Sequence, residues 1–266
     1  MTAYVHGYQS QENSRLHDQA RTLVDLLHAD TIYPAGATVL EAGCGVGAQT
    51  VTLGRQSLDA RFVSVDINAE SVEEARRKTE AAQLTNVRFH HADIFALPFE
   101  ADSFDHVFVC FVLEHVAKPV EALTRLKHLL KPGGTITVVE GDHGSAFFNP
   151  DSAEARAAIA CQVALQRQAG GNALIGRQLY PLLFDAGFGN LRVSPRLVYA
   201  DASRPELVDG FTRKTFTAMI EGVREPAISA GLIDPRVFDR GIQDLYRTAQ
   251  DDGVFCYTFF KAVAVK

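Results

Sequence analysis

The sequence predicts an α/β protein, a doubly wound and mostly parallel sheet with helices on both faces and a helical cap. Three observations lead there. From about residue 37 to 140, short apolar runs alternate with longer runs of helical period, the pattern of repeated β-α-β units. Most of the short runs are rich in Val, Ile or Phe, as strands buried on both faces require. A glycine-rich turn, Gly43-Cys44-Gly45-Val46-Gly47, follows the first run and precedes a helical pattern.

The elements follow in chain order. Leu16, Ala20, Leu23, Val24, Leu26 and Leu27 share one face of an amphipathic helix, so residues 1–30 read as an N-terminal helical lid. Strands are expected at Thr38 to Glu41, Phe62 to Asp66, Val87 to His91, Asp105 to Cys110 and Thr135 to Glu140. Ser71-Val-Glu-Glu74 has capping-box spacing and opens a helix through Ala81. Val120 to Leu130 repeats apolar residues at helical spacing and stops at Lys131-Pro132-Gly133-Gly134. From Ser145 to about Gly253 the pattern is mainly helical, interrupted by Gly187-Phe188-Gly189 and a strand-like Leu191 to Tyr199. Val254 to Val265 alternates as an edge or hairpin strand pairing with that run. One domain spanning 1–266 is expected, with a binding core at 37–143, cap insertions at 145–175 and 203–252, and segments 176–200 and 253–266 completing the sheet.

Composition narrows the function. With 266 residues, 47% hydrophobic and 22% charged, and a mean hydropathy of -0.02, collagen-like, coiled-coil and disordered classes are excluded. The 26 basic against 32 acidic side chains leave a net charge of -6, and no basic block exceeds Arg76-Arg77-Lys78, so a nucleic-acid partner is not expected. Cys44, Cys110, Cys161 and Cys256 form no C-x-x-C pair and read as reduced, buried thiols, with no metal site. The start of the chain lacks a signal-peptide pattern, and no run approaches the ~18 apolar residues of a membrane span. A cytoplasmic protein without membrane association is expected.

The glycine turn carries the chemistry. Gly43, Gly45 and Ala48 satisfy the G-x-G-x-x-G/A dinucleotide pattern, and Asp66 stands at about the spacing of a ribose-binding acid. Glu41 argues against a nicotinamide cofactor. It lies where such an enzyme brings a pyrophosphate to the helix N-terminus, and its carboxylate would repel that group. A ligand bearing an ammonium and a sulfonium, S-adenosylmethionine, suits it. Asp66 can accept from both ribose hydroxyls, Ile67 can pack on adenine, and Asp93 can accept from the adenine amine. Each acid also has a plainer reading as a helix cap or turn former.

Together the runs VLEAGCGVG, VSVDIN, HHADIFALPFEADSFDHVFVCFVLEHV and LKHLLKPGGTITVVEGD resemble the class I S-adenosylmethionine-dependent methyltransferases. The likeness is greatest to the small-molecule branch that includes ubiquinone and menaquinone biosynthesis methyltransferases. It covers residues 37 to 143 strongly and Gly176 to Tyr199 weakly. It implies a Rossmann-like seven-stranded sheet with one antiparallel strand, and cofactor contacts from Glu41, Gly43, Gly45, Asp66, Ile67, Asp93, Ile94 and the strand end near Cys110. S-adenosyl-L-homocysteine would be the product. The N-terminal HGYQSQENSRLHDQARTL is similar to natural-product methyltransferases, including C-methyltransferases of terpenoid or alkaloid skeletons.

Methyl transfer from a sulfonium needs an aligned acceptor more than a protein nucleophile. A base for an oxygen or carbon acceptor should stand at the C-terminal strand ends. Glu140-Gly141-Asp142-His143 meets that condition, with His143 as the base and Asp142 or Glu140 to orient it. His115, after the fourth strand, is the second candidate, and a solvated or structural role is the alternative for both histidines. Tyr8 of the lid, with Tyr4 the companion candidate, can cover the methionine portion of the cofactor through its electron-rich ring or simply anchor the terminus, and Arg15 and Gln19 share a helix face that suits a cofactor contact or solvent equally. Phe147, Phe148, Phe211, Phe216, Met219 and Ile220 would line an apolar chamber or simply form a core. The expected function is methyl transfer to C, O or N of a small, hydrophobic metabolite, of quinone or secondary-metabolite type, and a homodimer is compatible with the hydrophobic cap and N-terminal helix. The alternative is a non-catalytic S-adenosylmethionine-binding regulatory module, which would bind without turnover.

Overall fold

Val39, Leu40 and Ala42 are buried on alternating sides of the first strand, which therefore needs cover on both faces and takes a central place. The computed structural model describes residues 22–266. Its strands are β1 (Thr38–Ala42), β2 (Arg61–Asp66), β3 (Val87–His91), β4 (Phe104–Cys110), β5 (Leu130–Asn149), β6 (Gly189–Ala200) and β7 (Val254–Val265). They form one seven-stranded sheet in the order β3-β2-β1-β4-β5-β7-β6. β1 pairs in parallel with β2 and β4, β2 with β3, and β4 with β5. The sheet is mostly parallel, with one antiparallel pair. Strand order reverses between β1 and β4, so the crevice outside their carboxyl ends is where a ligand of such a sheet belongs.

The chain divides into two compact units. The first, the core unit, holds residues 27–140, 175–195 and 260–266. Leu40, Ala42, Val107, Val109, Ile136 and Val138 present one sheet face to α4 (Pro119–Leu129) and α6 (Leu179–Asp185), making its main apolar cluster. By the two-residue alternation, Glu41, Ser64 and Phe108 point to the other face, toward α2 (Ala48–Gln56). The helix at residues 22–28 ends against a buried lysine of β7. Lys261 Nζ lies 3.1 Å from the Leu27 carbonyl and 2.6 Å from both Asp30 Oδ1 and Thr31 Oγ1, cationic charge at a helix C-terminus.

The second, the cap unit, holds residues 141–174 and 196–259 together with the described part of the N-terminal segment up to Leu26. α5 (Ala153–Gln168) packs along α10 (Pro235–Arg247) at Gly241, where a Cβ would overlap the Glu154 carbonyl. Residues Pro205–Leu207 begin a helical run that passes into π-helix over Val208–Thr217 and returns to α-helix at Ala218–Glu221. Phe211 and Phe216 from this run meet Phe255, Tyr257 and Phe259 of β7, with neighbouring ring centroids 4.8 to 6.3 Å apart. Phe148, Met219 and Ile220 are buried too, and Phe147 is exposed, so these residues form a packed core with Phe147 outside it.

Three expectations are corrected. The helix expected from Ser71 is α3 (Ala69–Ala81), and its cap is Asn68, whose Oδ1 accepts from Ser71 N at 2.8 Å. β7 pairs with β6 as expected but lies between it and β5, which makes β6 and not β7 the sheet edge. β5 continues to Asn149, so Gly141, Asp142 and His143 belong to the strand itself and not to a loop after it.

Candidate functional site

The site of the core unit begins where β1 ends. Gly43, Gly45 and Gly47 have φ of 82°, 50° and 76°, a left-handed succession open to glycine and costly to any other residue. At Gly43 a Cβ would overlap Val112 Cγ2, and at Gly47 it would stand 2.8 Å from Ala75 Cα. At Gly45 it would meet nothing within 4 Å among the described residues, so bare backbone there is uncovered by them.

The amides of this turn face inward. Gly43 N and Cys44 N both donate to the Val65 carbonyl at 2.8 and 2.9 Å, Gly47 N donates to the Cys44 carbonyl at 2.9 Å, and Gly45 N donates to Asp66 Oδ2 at 2.8 Å. A phosphate-binding turn works the other way, aiming such donors at the anion. Here they are satisfied by the protein, and a carboxylate occupies the position an anion would need.

The acids are graded in depth. Glu41 is 2% exposed, and its Oε2 accepts from Thr50 Oγ1 at 2.7 Å and Ser64 Oγ at 2.6 Å. Burial raises its pKa to about 7 against the pull of those two hydroxyls, and the charge of Asp66 pushes the same way. Asp66 is half-buried and also displaced upward by burial, although Asn68 N at 2.9 Å and Gly45 N favour its ionised form. Each of its oxygens takes one backbone donor and retains a lone pair for a hydroxyl. Ile67 beside it is 47% exposed, and its carbonyl lies 2.9 Å from His91 Nε2. Asp93 closes an Asx turn, Oδ1 accepting from Phe95 N at 2.9 Å, while the half-buried Ile94 packs on the main apolar cluster. Cys110 is buried at the end of β4, its thiol raised far above the ordinary range by burial.

The candidate acid-base residues separate. Glu140 is fully buried, and its Oε1 accepts from Val112 N at 3.0 Å and Leu113 N at 2.7 Å. Burial, then the charge of Glu114, holds its pKa well above the carboxylate range. Through Oε1 it serves the backbone after β4. His115 closes the 3-10 turn Leu113–His115 on that loop, with Nε2 3.7 Å from Glu114 Oε1.

In the cap unit, His143 is buried and its Nδ1 lies 2.9 Å from Tyr257 Oη. Its backbone N donates to the Ala173 carbonyl at 2.9 Å. The orienting group at Nδ1 is thus Tyr257; Asp142 Oδ1 accepts from Gly144 N at 3.0 Å. Gly141, two residues back on the same strand face, makes room, since a Cβ there would overlap Tyr257 Oη. Tyr257 is 114 positions from His143 and no local pattern pairs them. Tyr4, Tyr8, Arg15 and Gln19 lie outside the described residues. Among the described residues, no group of three or more His, Cys, Asp or Glu could hold a metal ion, and no helix is long and apolar enough to cross a membrane.

Comparison with known proteins places this geometry. A 37.1 kDa protein of unassigned function in a transposon of Streptomyces fradiae is 34% identical over 212 residues, 79% of this chain and 58% of that protein. A demethylmenaquinone methyltransferase of Clavibacter sepedonicus is 36% identical over 106 residues, 40% of this chain and 42% of that protein. The chain thus spans about half the length of the curated relatives it matches. Among solved structures, geranyl diphosphate C-methyltransferase from Streptomyces coelicolor, in complex with magnesium, geranyl diphosphate and S-adenosyl-L-homocysteine, has a TM-score of 0.52 at 16% identity, over 92% of this chain and 78% of that one. The family model described as a methyltransferase domain matches residues 34–187, which takes in the strand ends, the glycine turn and all three graded acids. By that match, over more than half of its length, the chain belongs to the methyltransferase domain family.

Proposed function

We propose that the protein is an S-adenosylmethionine-dependent methyltransferase acting on a small, apolar metabolite. The observation that carries this reading is the inward direction of the turn amides, with Asp66 holding Gly45 N and Glu41 buried beneath. Such a turn repels a pyrophosphate and suits a ligand that is cationic and rich in hydroxyls. The residues fit that group. Gly45 leaves its backbone uncovered by the described residues, Asp66 keeps acceptor capacity for ribose hydroxyls, and Ile67 offers an exposed apolar surface for an adenine ring.

When bound, the cofactor would supply an electrophilic methyl group on sulfur. The chain's part is to hold and align. Fixing the acceptor at attack distance contributes up to ~7–11 kcal/mol in favourable cases. Asp66, joined by Glu41 where pH exceeds about 7 and ionises it, sets a negative potential that favours the charged cofactor over its neutral product, which assists exchange after turnover. His143, held by Tyr257 at Nδ1, is the group suited to take a proton from a phenol or enol acceptor. The names of the menaquinone-type and geranyl-type relatives support an apolar acceptor, as do the acidic balance and the absence of a long basic block.

Calorimetric titration with S-adenosylhomocysteine and with NAD, for the wild type and Asp66→Ala, tests the reading. The wild type should bind the first and not the second, and Asp66→Ala should lose at least about tenfold in affinity, one charged hydrogen bond's worth. Labelled S-adenosylmethionine with a hydroxynaphthoquinol should give a methylated product. Binding of NAD alone, or an undiminished affinity in Asp66→Ala, would overturn the assignment, and binding without turnover over a panel of apolar acceptors would favour a regulatory module.

A further inference from the structure

Glu140 ends the core portion of β5 with no exposed surface, and both backbone donors it receives belong to the start of the loop after β4. Its other oxygen, Oε2, is buried with no hydrogen-bond partner among the described residues. Phe111, just before that loop's donors, has φ of 57°, a conformation a bulky residue keeps only where its surroundings hold it. The second residue of the loop then crosses the sheet's switch point. Val112 presses on Gly43 so closely that a Cβ there would overlap its Cγ2 and stand 3.2 Å from its Cγ1. A continuous path therefore runs from Glu140 through the Val112 amide and side chain to the first glycine of the turn.

We propose that Glu140 is a positioning residue that sets the glycine turn through Val112, and that it exchanges no proton with the acceptor. The inference rests on the functional reading above for its effect on cofactor, and on geometry alone for its effect on the turn. Burial, then the neighbouring charge of Glu114, pushes the pKa of this carboxyl up, and a glutamine matches its shape and keeps the oxygen that accepts from Val112 N and Leu113 N.

Two measurements on Glu140→Ala, Glu140→Gln, Val112→Ala and the Glu140→Ala/Val112→Ala pair test it. The first is hydrogen exchange at the amides of Gly43, Cys44 and Gly45 without ligand. Exchange should speed by about tenfold in Glu140→Ala and in Val112→Ala, stay near wild type in Glu140→Gln, and be no faster in the double variant than in Glu140→Ala, because one path carries both effects. The second is affinity for S-adenosylhomocysteine, which should fall in the same order, with turnover kept in Glu140→Gln.

Unchanged exchange in Val112→Ala, or additive effects in the pair, overturns the path. Normal exchange with lost turnover in Glu140→Gln overturns the positioning role in favour of proton transfer. A wild type that fails to bind S-adenosylhomocysteine sinks the functional reading and leaves the exchange test intact. Should Glu140→Ala fail to fold, Glu140→Gln and Val112→Ala decide the matter alone.

Discussion

Replacing Glu41 by Gln should make the protein more stable and less able to bind its cofactor, and the stability gain should develop as pH rises from about 4.5 to about 7. Glu41 is 2% exposed, and burial raises its pKa from 4.5 to about 7 in the folded chain. The folded state therefore holds a proton that the unfolded state has released between those values. Stability from this group is fully present below about pH 4.5, falls as pH rises, and is gone above about 7. The difference of roughly 2.5 pH units corresponds to about 3 kcal/mol at 1.36 kcal/mol per unit. Gln keeps an acceptor for Thr50 and Ser64 and carries no charge, so it behaves as the protonated acid at every pH. Urea unfolding at pH 5, 7 and 8.5 is the assay. The variant should lead by no more than about 1 kcal/mol at pH 5 and by about 3 kcal/mol at pH 8.5. In parallel, affinity for the sulfonium cofactor should fall while affinity for the neutral S-adenosylhomocysteine falls less. Equal stability at pH 8.5 would refute the buried, proton-bearing state of Glu41.

Much of the core unit was legible because its strands sit in a uniform environment. The β1, β2 and β4 runs differ from the predicted bounds by one residue at an end, since burial on both faces leaves a largely apolar signal, and the mostly exposed Val87 to His91 has the predicted bounds. The signal failed where tertiary contacts replaced it. Gly141-Asp142-His143-Gly144 has the composition of a turn, yet it is strand, because Gly141 lies against Tyr257 Oη and Ser145 Oγ receives Thr258 N at 2.9 Å from β7. The same distance in sequence hid the partner of His143. Glu140 read as a group to orient a base because it stands at a strand end near His143, and only the bonds that its buried carboxyl accepts from Val112 N and Leu113 N reveal its service to the backbone. The glycines and Asp66 were legible in position. That the turn amides point inward was not, as the motif is shared by turns that bind phosphate and turns that reject it.

Two further substitutions probe the two ends of the proposed machinery. Gly43→Ala combines a φ of 82° with a methyl group driven into Val112, so a loss of about 2–5 kcal/mol is expected from backbone and overpacking together. Val112→Ala in the same chain should restore the overpacking part, and a Gly43→Ala protein within 0.5 kcal/mol of wild type by urea unfolding, the usual spread of a neutral surface change, would refute the close approach. Tyr257→Phe removes only the hydroxyl at His143 Nδ1 and leaves the ring among Phe211, Phe216 and Phe259. If His143 is the base, losing the group that fixes its ring and tautomer should lower kcat by about tenfold or more and shift the acid limb of the pH-rate profile, with S-adenosylhomocysteine affinity unchanged. A purely structural hydroxyl would instead cost about 1–3 kcal/mol of stability and leave the pH profile in place, so an unmoved profile removes His143 and Tyr257 from the chemistry together.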